Sequence, residues 1–230
     1  MSIELNGIVL AYGEKVVLSQ VNGVIQKGQI TGILGPNGAG KTTLFKTLAG
    51  IKSAAEGSIQ YNGQNGSAEQ VAYMPTEPFF YPYMTGGEYL QLLGANQTMI
   101  EKLNAVFELP LDQYAQSYST GMRKKLAFLG VVAMDRPILL LDEPFNGVDL
   151  EGNQMMLQLI QSMKSQKVIL IASHLLEALL QMADVIYELR DHALSAPLQP
   201  EEFSNLKKRM QQKNKTAVEQ IRNILSERER

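Results

Sequence analysis

A glycine-rich segment at residues 35–43 constrains this chain more than any other feature. It lies between an apolar run at residues 30–34, typical of a strand, and a run of apolar residues with helical spacing. Glycines let the backbone curl so that successive N–H groups point at an anion, and the following helix adds its positive dipole end. The lysine brings a full charge to the β- and γ-phosphates of a nucleotide, and the Thr42 hydroxyl can ligate Mg²⁺. The segment therefore predicts a triphosphate-binding loop made of Gly35, Pro36, Asn37, Gly38, Ala39, Gly40, Lys41, Thr42 and Thr43.

Composition excludes several other classes of protein. The 230 residues carry a formal net charge of −2, so no overall basic field would attract nucleic acid. The chain has no cysteine, which excludes disulfides, thiolate metal sites and cysteine nucleophiles. Its first residues have neither the basic nor the apolar stretch of a secretory leader, and no apolar run approaches the roughly 20 residues that span a bilayer. We therefore expect any membrane role to depend on a partner.

Two adjacent carboxylates follow a second apolar run, at residues 138–141. Such a run is typical of a parallel strand that is buried on both faces, and the chemistry of an open parallel sheet lies at the carboxyl ends of its strands. Asp142 suits Mg²⁺, and Glu143 suits the activation of a water aimed at the γ-phosphate. A solvated strand end is the weaker interpretation. His174 follows a third apolar run, and a functional role there is about as plausible as a helix-capping one.

Helical periodicity is concentrated in the middle of the chain. Before residue 85 the patterns mostly predict strands, whereas Thr85 and Glu88 form a predicted capping box and helical patterns continue to about residue 134. The sequence thus predicts an α/β fold, with a P-loop NTPase core, an antiparallel β subdomain and a helical subdomain inserted at about residues 85–135. We expect this domain to cover residues 1–195, followed by an amphipathic helical extension over residues 196–230.

Three features allow two interpretations each. The aromatic loop, residues 79–84, could pack inside the helical insertion or form an exposed interface. Tyr12 could stack on a nucleobase or be an ordinary tyrosine at a strand end, which is the better interpretation of this stretch by itself. The extension could pack on its own domain, the simpler interpretation, or serve as a docking helix. His192 lies in a polar loop and receives no role.

Taken together, these motifs resemble the ATP-binding cassette (ABC) family over about residues 3–190. Residues 35–43 are similar to its Walker A motif, and residues 140–144 to Walker B with Glu143 as the catalytic glutamate. A variant of the ABC signature lies between them and contains Ser119, Thr120, Gly121 and Met122. Three further positions match the adenine-stacking aromatic, the D-loop and the switch histidine of the family, namely Tyr12, Asp149 and His174. The Q-loop glutamine is replaced by Thr76, and the adjacent Glu77 could substitute for it.

The resemblance implies a mechanism that needs two cassettes. In this family they pair head to tail, so the signature of one copy would cover the γ-phosphate of ATP–Mg²⁺ bound by the other. The signature variant is similar to those of exporter ATPases with ABC-2-type permeases. The chain is therefore expected to be the ATP-hydrolysing subunit of an exporter. It would lie on the cytoplasmic face of the membrane with a separate permease and a second ABC subunit, identical or similar.

Two alternatives fit the sequence less well. A soluble ABC ATPase that acts on nucleic acid or ribosomes would usually have two cassettes in one chain, or a long coiled coil, and a basic surface. An inactive nucleotide-binding regulator is disfavoured because Lys41, Asp142, Glu143 and His174 are all present.

Overall fold

The computed structural model describes residues 1–65, 68–95, 97–212, 215 and 219. The chain divides into two compact units, Met1–Pro197 and Leu198–Arg230. In the second unit a short 3₁₀ turn at Pro200–Glu202 leads into a helix at residues 203–212. The apolar positions 217, 218, 221, 224 and 225 of the predicted extension lie outside the described residues.

The first unit contains a six-stranded, mostly parallel sheet. Its strands are β3 (Ile30–Leu34), β6 (Val71–Met74), β7 (Ile138–Asp142), β8 (Val168–Ser173), β9 (Val185–Arg190) and β10 (Ala193–Leu194). They are ordered β10-β9-β3-β8-β7-β6, with β10 antiparallel to β9. Every residue of β3, β7 and β8 is buried, as expected for continuous apolar strands covered on both faces.

The amino-terminal part of the chain forms a second, antiparallel sheet. Its strands are β1 (Ser2–Tyr12), β2 (Lys15–Gln26), β4 (Glu56–Tyr61) and β5 (Gln64–Asn65), in the order β2-β1-β4-β5. Alternate residues are buried within each half of β1, Ile3 and Leu5 and then Ile8 and Leu10, and a register shift between Leu5 and Ile8 moves the pattern by one residue. These buried residues form one hydrophobic core with side chains from the first sheet and from the first helix, including Leu44 and Phe45.

The described residues of this unit also form six α-helices. They are α1 (Lys41–Leu48), α2 (Gly86–Leu92), α3 (Gln97–Phe107), α4 (Thr120–Ala133), α5 (Leu150–Met163) and α6 (Leu176–Leu180). Helices α2, α3 and α4 occupy the predicted helical insertion, and the capping box of Thr85 and Glu88 is present at the start of α2. None of the helices in the described part of the chain is sufficiently long and apolar to cross a membrane. The predicted fold class is therefore confirmed.

The parallel register brings the functional motifs to one edge. Leu34, the last residue before the glycine loop, pairs with Ser173, and Asp142 pairs with Ala172 on the other side of β8. Because these strands run in the same direction, the segments that follow β3, β7 and β8 leave the sheet side by side. Two short strands were missing from the sequence-based assignment, β5 and β10. The latter makes residues 191–192 a tight turn rather than an extended polar loop.

Candidate nucleotide-binding and catalytic site

The glycine loop forms the floor of a cavity of about 320 Å³ at the carboxyl edge of the sheet. Loop residues 36–43 line it together with residues 15–17 at the start of β2. Its remaining walls come from Thr76, Asp142, Glu143 and His192. The phosphate loop and the two carboxylates at the end of β7, which the sequence predicts to be functional, therefore line the same cavity. His192, which has no predicted role, lines it as well.

Two glycines of the loop are required by close contacts. A Cβ atom at Gly35 would lie 2.6 Å from the carbonyl oxygen of Leu189 in β9, so any larger residue would push the loop away from the sheet. Gly40 has a φ of 104°, and a Cβ there would lie 2.9 Å from Val17. The loop thus adopts a backbone path that only glycine permits at these points.

The side chain of Lys41 reaches back to the loop that precedes it. Its Nζ atom donates to the carbonyl oxygens of Gly35 at 2.7 Å and Pro36 at 3.3 Å, and lies 3.3 Å from Oε1 of Glu143. The side chain is buried, so its charge is poorly screened. A buried ammonium group at the first residue of α1, where the helix dipole is positive, favours an anion at this point.

Asp142 and Thr42 form the part of the site that could hold a metal ion. The Thr42 hydroxyl donates to Oδ2 of Asp142 at 2.6 Å, although 100 residues separate them in the chain. The other carboxylate oxygen, Oδ1, is buried and has no hydrogen-bond partner among the residues that the structure describes. Burial and the neighbouring Asp142 charge raise the pKa of the Tyr73 phenol well above its usual value, so Tyr73 stays neutral. A carboxylate and a hydroxyl are oxygen donors of the kind that Mg²⁺ prefers, so Asp142 and Thr42 would hold this ion and it would supply positive charge beside bound phosphates.

Glu143 is held by the segment that follows β8. Its Oε1 atom accepts a hydrogen bond from the backbone N–H of His174 at 2.8 Å and lies 2.9 Å from Nδ1 of the same histidine. The Ser173 hydroxyl donates to Oε2 at 3.3 Å. Glu143 is the first residue after β7 and has a φ of 49°. This left-handed turn separates its side chain from that of Asp142, so the two carboxylates have different partners.

The signature residues stand at the start of α4. Ser119 is exposed and caps the helix by accepting a hydrogen bond from the Met122 N–H at 3.2 Å. A Cβ at Gly121 would lie 2.9 Å from the carbonyl oxygen of Gly147, so the glycine lets α4 pack against the D-loop turn of its own chain. None of residues 119–122 is among the described residues that line the phosphate-loop cavity.

Asp149 begins α5 and is attached to α4. Its Oδ1 atom caps α5 by accepting from the Gly152 N–H at 2.9 Å, and Lys125 Nζ lies 3.0 Å from the same oxygen. The hydrogen bond from Lys125, followed by that from Gly152, lowers the pKa of this exposed carboxyl. The predicted D-loop residue is thus attached to the helix that begins with the predicted signature.

The comparisons with known proteins decide the family. A family model described as ABC transporter matches residues 18–146, which is more than half of the chain. The chain belongs to the ABC transporter family. The interpretation as the ATP-binding, ATP-hydrolysing subunit of an ABC transporter is therefore confirmed, and neither alternative class is supported.

Curated relatives of this ABC ATPase are transport proteins. The lantibiotic transport ATP-binding protein SrtF of Streptococcus pyogenes is 31% identical over 194 residues, which covers 80% of this chain and 85% of SrtF. The bacitracin transport ATP-binding protein BcrA of Enterococcus faecalis is 32% identical over 199 residues, covering 80% of this chain and 65% of BcrA.

Solved structures agree on the fold. An ATP-binding subunit of an ABC transporter superposes with a TM-score of 0.80 at 26% identity, covering 86% of this chain and 90% of that structure. A dimeric bacterial ABC transporter cassette gives a TM-score of 0.77 at 19% identity, covering 86% and 98% respectively. The second likeness bears on the fold alone.

The structure gives different surroundings to the predicted adenine-stacking residue and to the two residues at the Q-loop position of this ABC ATPase. Tyr12 is 53% exposed, and the Lys52 ammonium lies 4.0 Å from the centre of its ring, which covers one face. Thr76 lines the phosphate-loop cavity, whereas Glu77 lines a neighbouring cavity of about 190 Å³ beside α4. The roles of all three remain predictions.

In the aromatic loop one side chain packs inside the helical subdomain, and others are exposed as an interface would require. Phe80 is buried, and its ring lies 4.7 Å from that of Tyr89 in α2. Phe79, Tyr81 and Tyr83 are 69%, 56% and 75% exposed. One residue therefore anchors the loop to the helical subdomain while the others form an aromatic surface.

Proposed function

We propose that this chain drives export by hydrolysing ATP in a dimer, on the cytoplasmic face of a membrane, in complex with a separate permease. The observation that carries the proposal is the meeting of three elements in one cavity. They are a phosphate loop with a buried lysine, the Thr42–Asp142 pair and Glu143, whose carboxylate is contacted by His174 from beyond the cavity lining. Phosphate binding, metal binding and water activation need these three elements together.

Binding would use the loop residues Gly35, Pro36, Asn37, Gly38, Ala39, Gly40, Lys41, Thr42 and Thr43. Their backbone N–H groups and the start of α1 would surround the phosphates. Lys41 would exchange the carbonyl oxygens that it contacts for phosphate oxygens. Thr42 and Asp142 would hold Mg²⁺, which supplies positive charge to the phosphates. Tyr12 would stack its uncovered face on the base.

Hydrolysis would use Glu143 as the general base. Its carboxylate would accept a proton from a water molecule whose oxygen attacks the γ-phosphorus, and the bond between that phosphorus and ADP breaks. The His174 backbone N–H donates to Oε1 and the Ser173 hydroxyl to Oε2, and the His174 ring lies 2.9 Å from Oε1. These contacts fix the direction in which the base points, which is a large part of what catalysis requires.

A second copy would complete each site. Ser119, Thr120, Gly121 and Met122 lie outside the phosphate-loop cavity of their own chain, yet the start of α4 presents a hydroxyl and the positive end of a helix. Placed against the phosphates of another cassette, they would close the nucleotide between two chains. Asp149, joined to the same helix by Lys125, would lie at this dimer contact.

The permease would bind the aromatic surface. Phe79, Tyr81 and Tyr83 are exposed close together, and the rings of Tyr83 and Tyr114 lie 6.1 Å apart. Aromatic side chains concentrate in protein–protein contacts, and an apolar surface of this kind is costly to leave in water. The relatives are named for lantibiotic and bacitracin transport, and in this system the permease would select the transported molecule.

The proposal is tested by trapping the dimer. We expect Glu143→Gln to bind ATP–Mg²⁺, lose hydrolysis and shift from monomer to dimer mass in size-exclusion chromatography with light scattering. Lys41→Ala added to Glu143→Gln is the control, and it should stay monomeric because phosphate binding is lost. A Glu143→Gln protein that binds ATP but stays monomeric at saturation would contradict the proposed dimer mechanism.

A further inference from the structure

We infer that Lys124 is a positioning residue that fixes the backbone of Glu143 and joins it to the signature helix. The inference rests on the proposed role of Glu143 as general base. It adds a physical connection between two parts of the same chain. One is the signature helix, which would contact the nucleotide bound by the other copy, and the other is Glu143, which would hydrolyse the nucleotide bound by its own copy.

Lys124 is a buried lysine whose side chain donates to a backbone carbonyl group of the proposed base. The residue is only 5% exposed, and its Nζ atom donates to the backbone carbonyl oxygen of Glu143 at 2.9 Å. Burial lowers the pKa of this amine, against the attraction of the Asp142, Glu143 and Glu77 charges. Burying an ammonium group is costly, so a lysine at such a position is uncommon unless its contacts compensate for the lost water.

The backbone of Glu143 is a place where support is needed. The residue has a φ of 49°, which is unfavourable for residues other than glycine. Such a backbone conformation persists only where the surrounding structure imposes it. The N–H of Glu143 donates to the carbonyl oxygen of Ala172 in β8 at 3.0 Å. Its carbonyl oxygen is held by Lys124 from α4. Two different elements therefore hold the peptide groups on either side of the proposed base. Strand β8 accepts the hydrogen bond from the N–H, and Lys124 of α4 donates the hydrogen bond to the carbonyl oxygen.

Three consecutive basic residues of α4 each contact a different functional segment. Arg123 donates to the carbonyl oxygen of Pro78 at 3.4 Å, and its guanidinium lies 5.5 Å from the centre of the Phe80 ring. Lys124 contacts Glu143, and Lys125 contacts Asp149. The aromatic loop, the proposed base and the D-loop are thus attached to adjacent positions of one helix, whose first residues are the signature. A shift of α4 when the signature meets a nucleotide would be transmitted to Glu143 through a short, buried contact.

A purely structural lysine would behave differently, and the chain contains a suitable control. Lys167 is also buried and donates to the carbonyl oxygen of Arg136 at 2.8 Å, near the opposite end of β7. Replacing either lysine by methionine removes its hydrogen bond to a carbonyl group beside one end of β7, and the Glu143 carbonyl oxygen then keeps the longer bond from the Asn146 N–H at 3.4 Å. Of these two lysines only Lys124 contacts the proposed base, so of the two substitutions only Lys124→Met should affect the chemical step.

The test compares Lys124→Met, Lys124→Arg and Lys167→Met in full-length protein. For Lys124→Met we expect kcat for ATP hydrolysis to fall about 10- to 100-fold, the size of effect that follows small misplacement of a catalytic group, with ATP affinity within about 2-fold of wild type. Because hydrolysis is slowed and binding is not, Lys124→Met should form an ATP-stabilised dimer without any change at Glu143. Lys124→Arg retains charge and donor and should restore kcat to within about 5-fold, while Lys167→Met should keep kcat.

Three results would overturn the inference. They are a Lys124→Met protein with kcat within 2-fold of wild type, an equal loss of kcat in folded Lys167→Met, or a Lys124→Met protein that hydrolyses slowly yet forms no dimer with ATP. If methionine prevents folding, Lys124→Gln is judged by the same criteria, since its amide is one atom shorter and cannot reach the same position. Loss of hydrolysis in Glu143→Gln with full activity in Lys124→Met would refute this inference alone. A wild-type protein without ATPase activity would refute the proposed function.

Discussion

Substitutions at Ser119 can distinguish its role within its own chain from its proposed role in the dimer. Within its own chain it caps α4 through the 3.2 Å hydrogen bond from the Met122 N–H. In the proposed dimer its hydroxyl would face the γ-phosphate held by the other copy. Two substitutions distinguish these roles, because alanine removes the cap, whereas aspartate retains it and adds a negative charge.

The two expected effects differ in kind and size. Loss of the cap in Ser119→Ala should lower the free energy of unfolding by about 1 kcal/mol and the melting temperature by about 2–4 °C. Aspartate is an equally good cap, so Ser119→Asp should keep the wild-type melting temperature. A carboxylate roughly 4 Å from one phosphate charge is repelled by about 4 kcal/mol at the effective dielectric constant of a protein surface. That energy corresponds to an ATP-dependent dimer weakened about a thousandfold for each of its two signature–phosphate contacts.

The assay combines thermal unfolding with light scattering in the Glu143→Gln background. We expect Ser119→Asp to be as stable as its parent and monomeric with ATP–Mg²⁺. Ser119→Ala should be less stable but should still dimerise at higher protein concentration. The reasoning is refuted if Ser119→Asp dimerises with ATP as well as its parent does, because no phosphate could then lie near residue 119.

Further predictions concern the aromatic loop and the ends of the nucleotide cavity. Tyr81→Ser with Tyr83→Ser should leave ATP binding unchanged and abolish co-purification with the permease, and retained co-purification would contradict the docking surface. Phe80→Ala should instead destabilise the fold by about 3 kcal/mol in denaturant unfolding, because a buried ring is lost, and an unchanged midpoint would contradict its anchoring role. Tyr12→Ala should weaken ATP binding about tenfold through lost stacking, as measured by calorimetry, and equal affinity would exclude stacking. His192→Ala should raise the Kd for ATP about 2- to 10-fold, the value of one hydrogen bond, and an unchanged Kd would mean that His192 only lines the cavity.

Much of the fold could be predicted because its signals are local. The fully apolar strands β3, β7 and β8 and the capped helix α2 are each specified by a few neighbouring residues, and their bounds agree with the sequence patterns within about two residues. The two-residue strands β5 and β10 are too short to show a period. His192 was overlooked for this reason, because the turn that brings it to the cavity depends on β10.

Contacts between motifs could not be read from the chain. The sequence indicated that Thr42 and Asp142 serve the same ion, but not that they touch. It showed three basic residues after the signature, but not that each reaches a different segment, because helical spacing predicts a face and not the loops packed against it. In the aromatic loop, Phe79 and Phe80 have opposite exposure, and an irregular loop has no period from which this could be predicted.

The central claim is that one copy binds the nucleotide and another copy's signature closes over it. Because the chain has no cysteine, single cysteines can be introduced without background reaction. Both proteins would carry Glu143→Gln. One would also have Asn37→Cys in the phosphate loop and the other Ser119→Cys, and they would be mixed with a short bismaleimide. We predict a covalent dimer of the two different variants with ATP–Mg²⁺ and none without nucleotide or with Lys41→Ala in the first. If both variants bind ATP and no cross-link forms between positions 37 and 119, the account is contradicted.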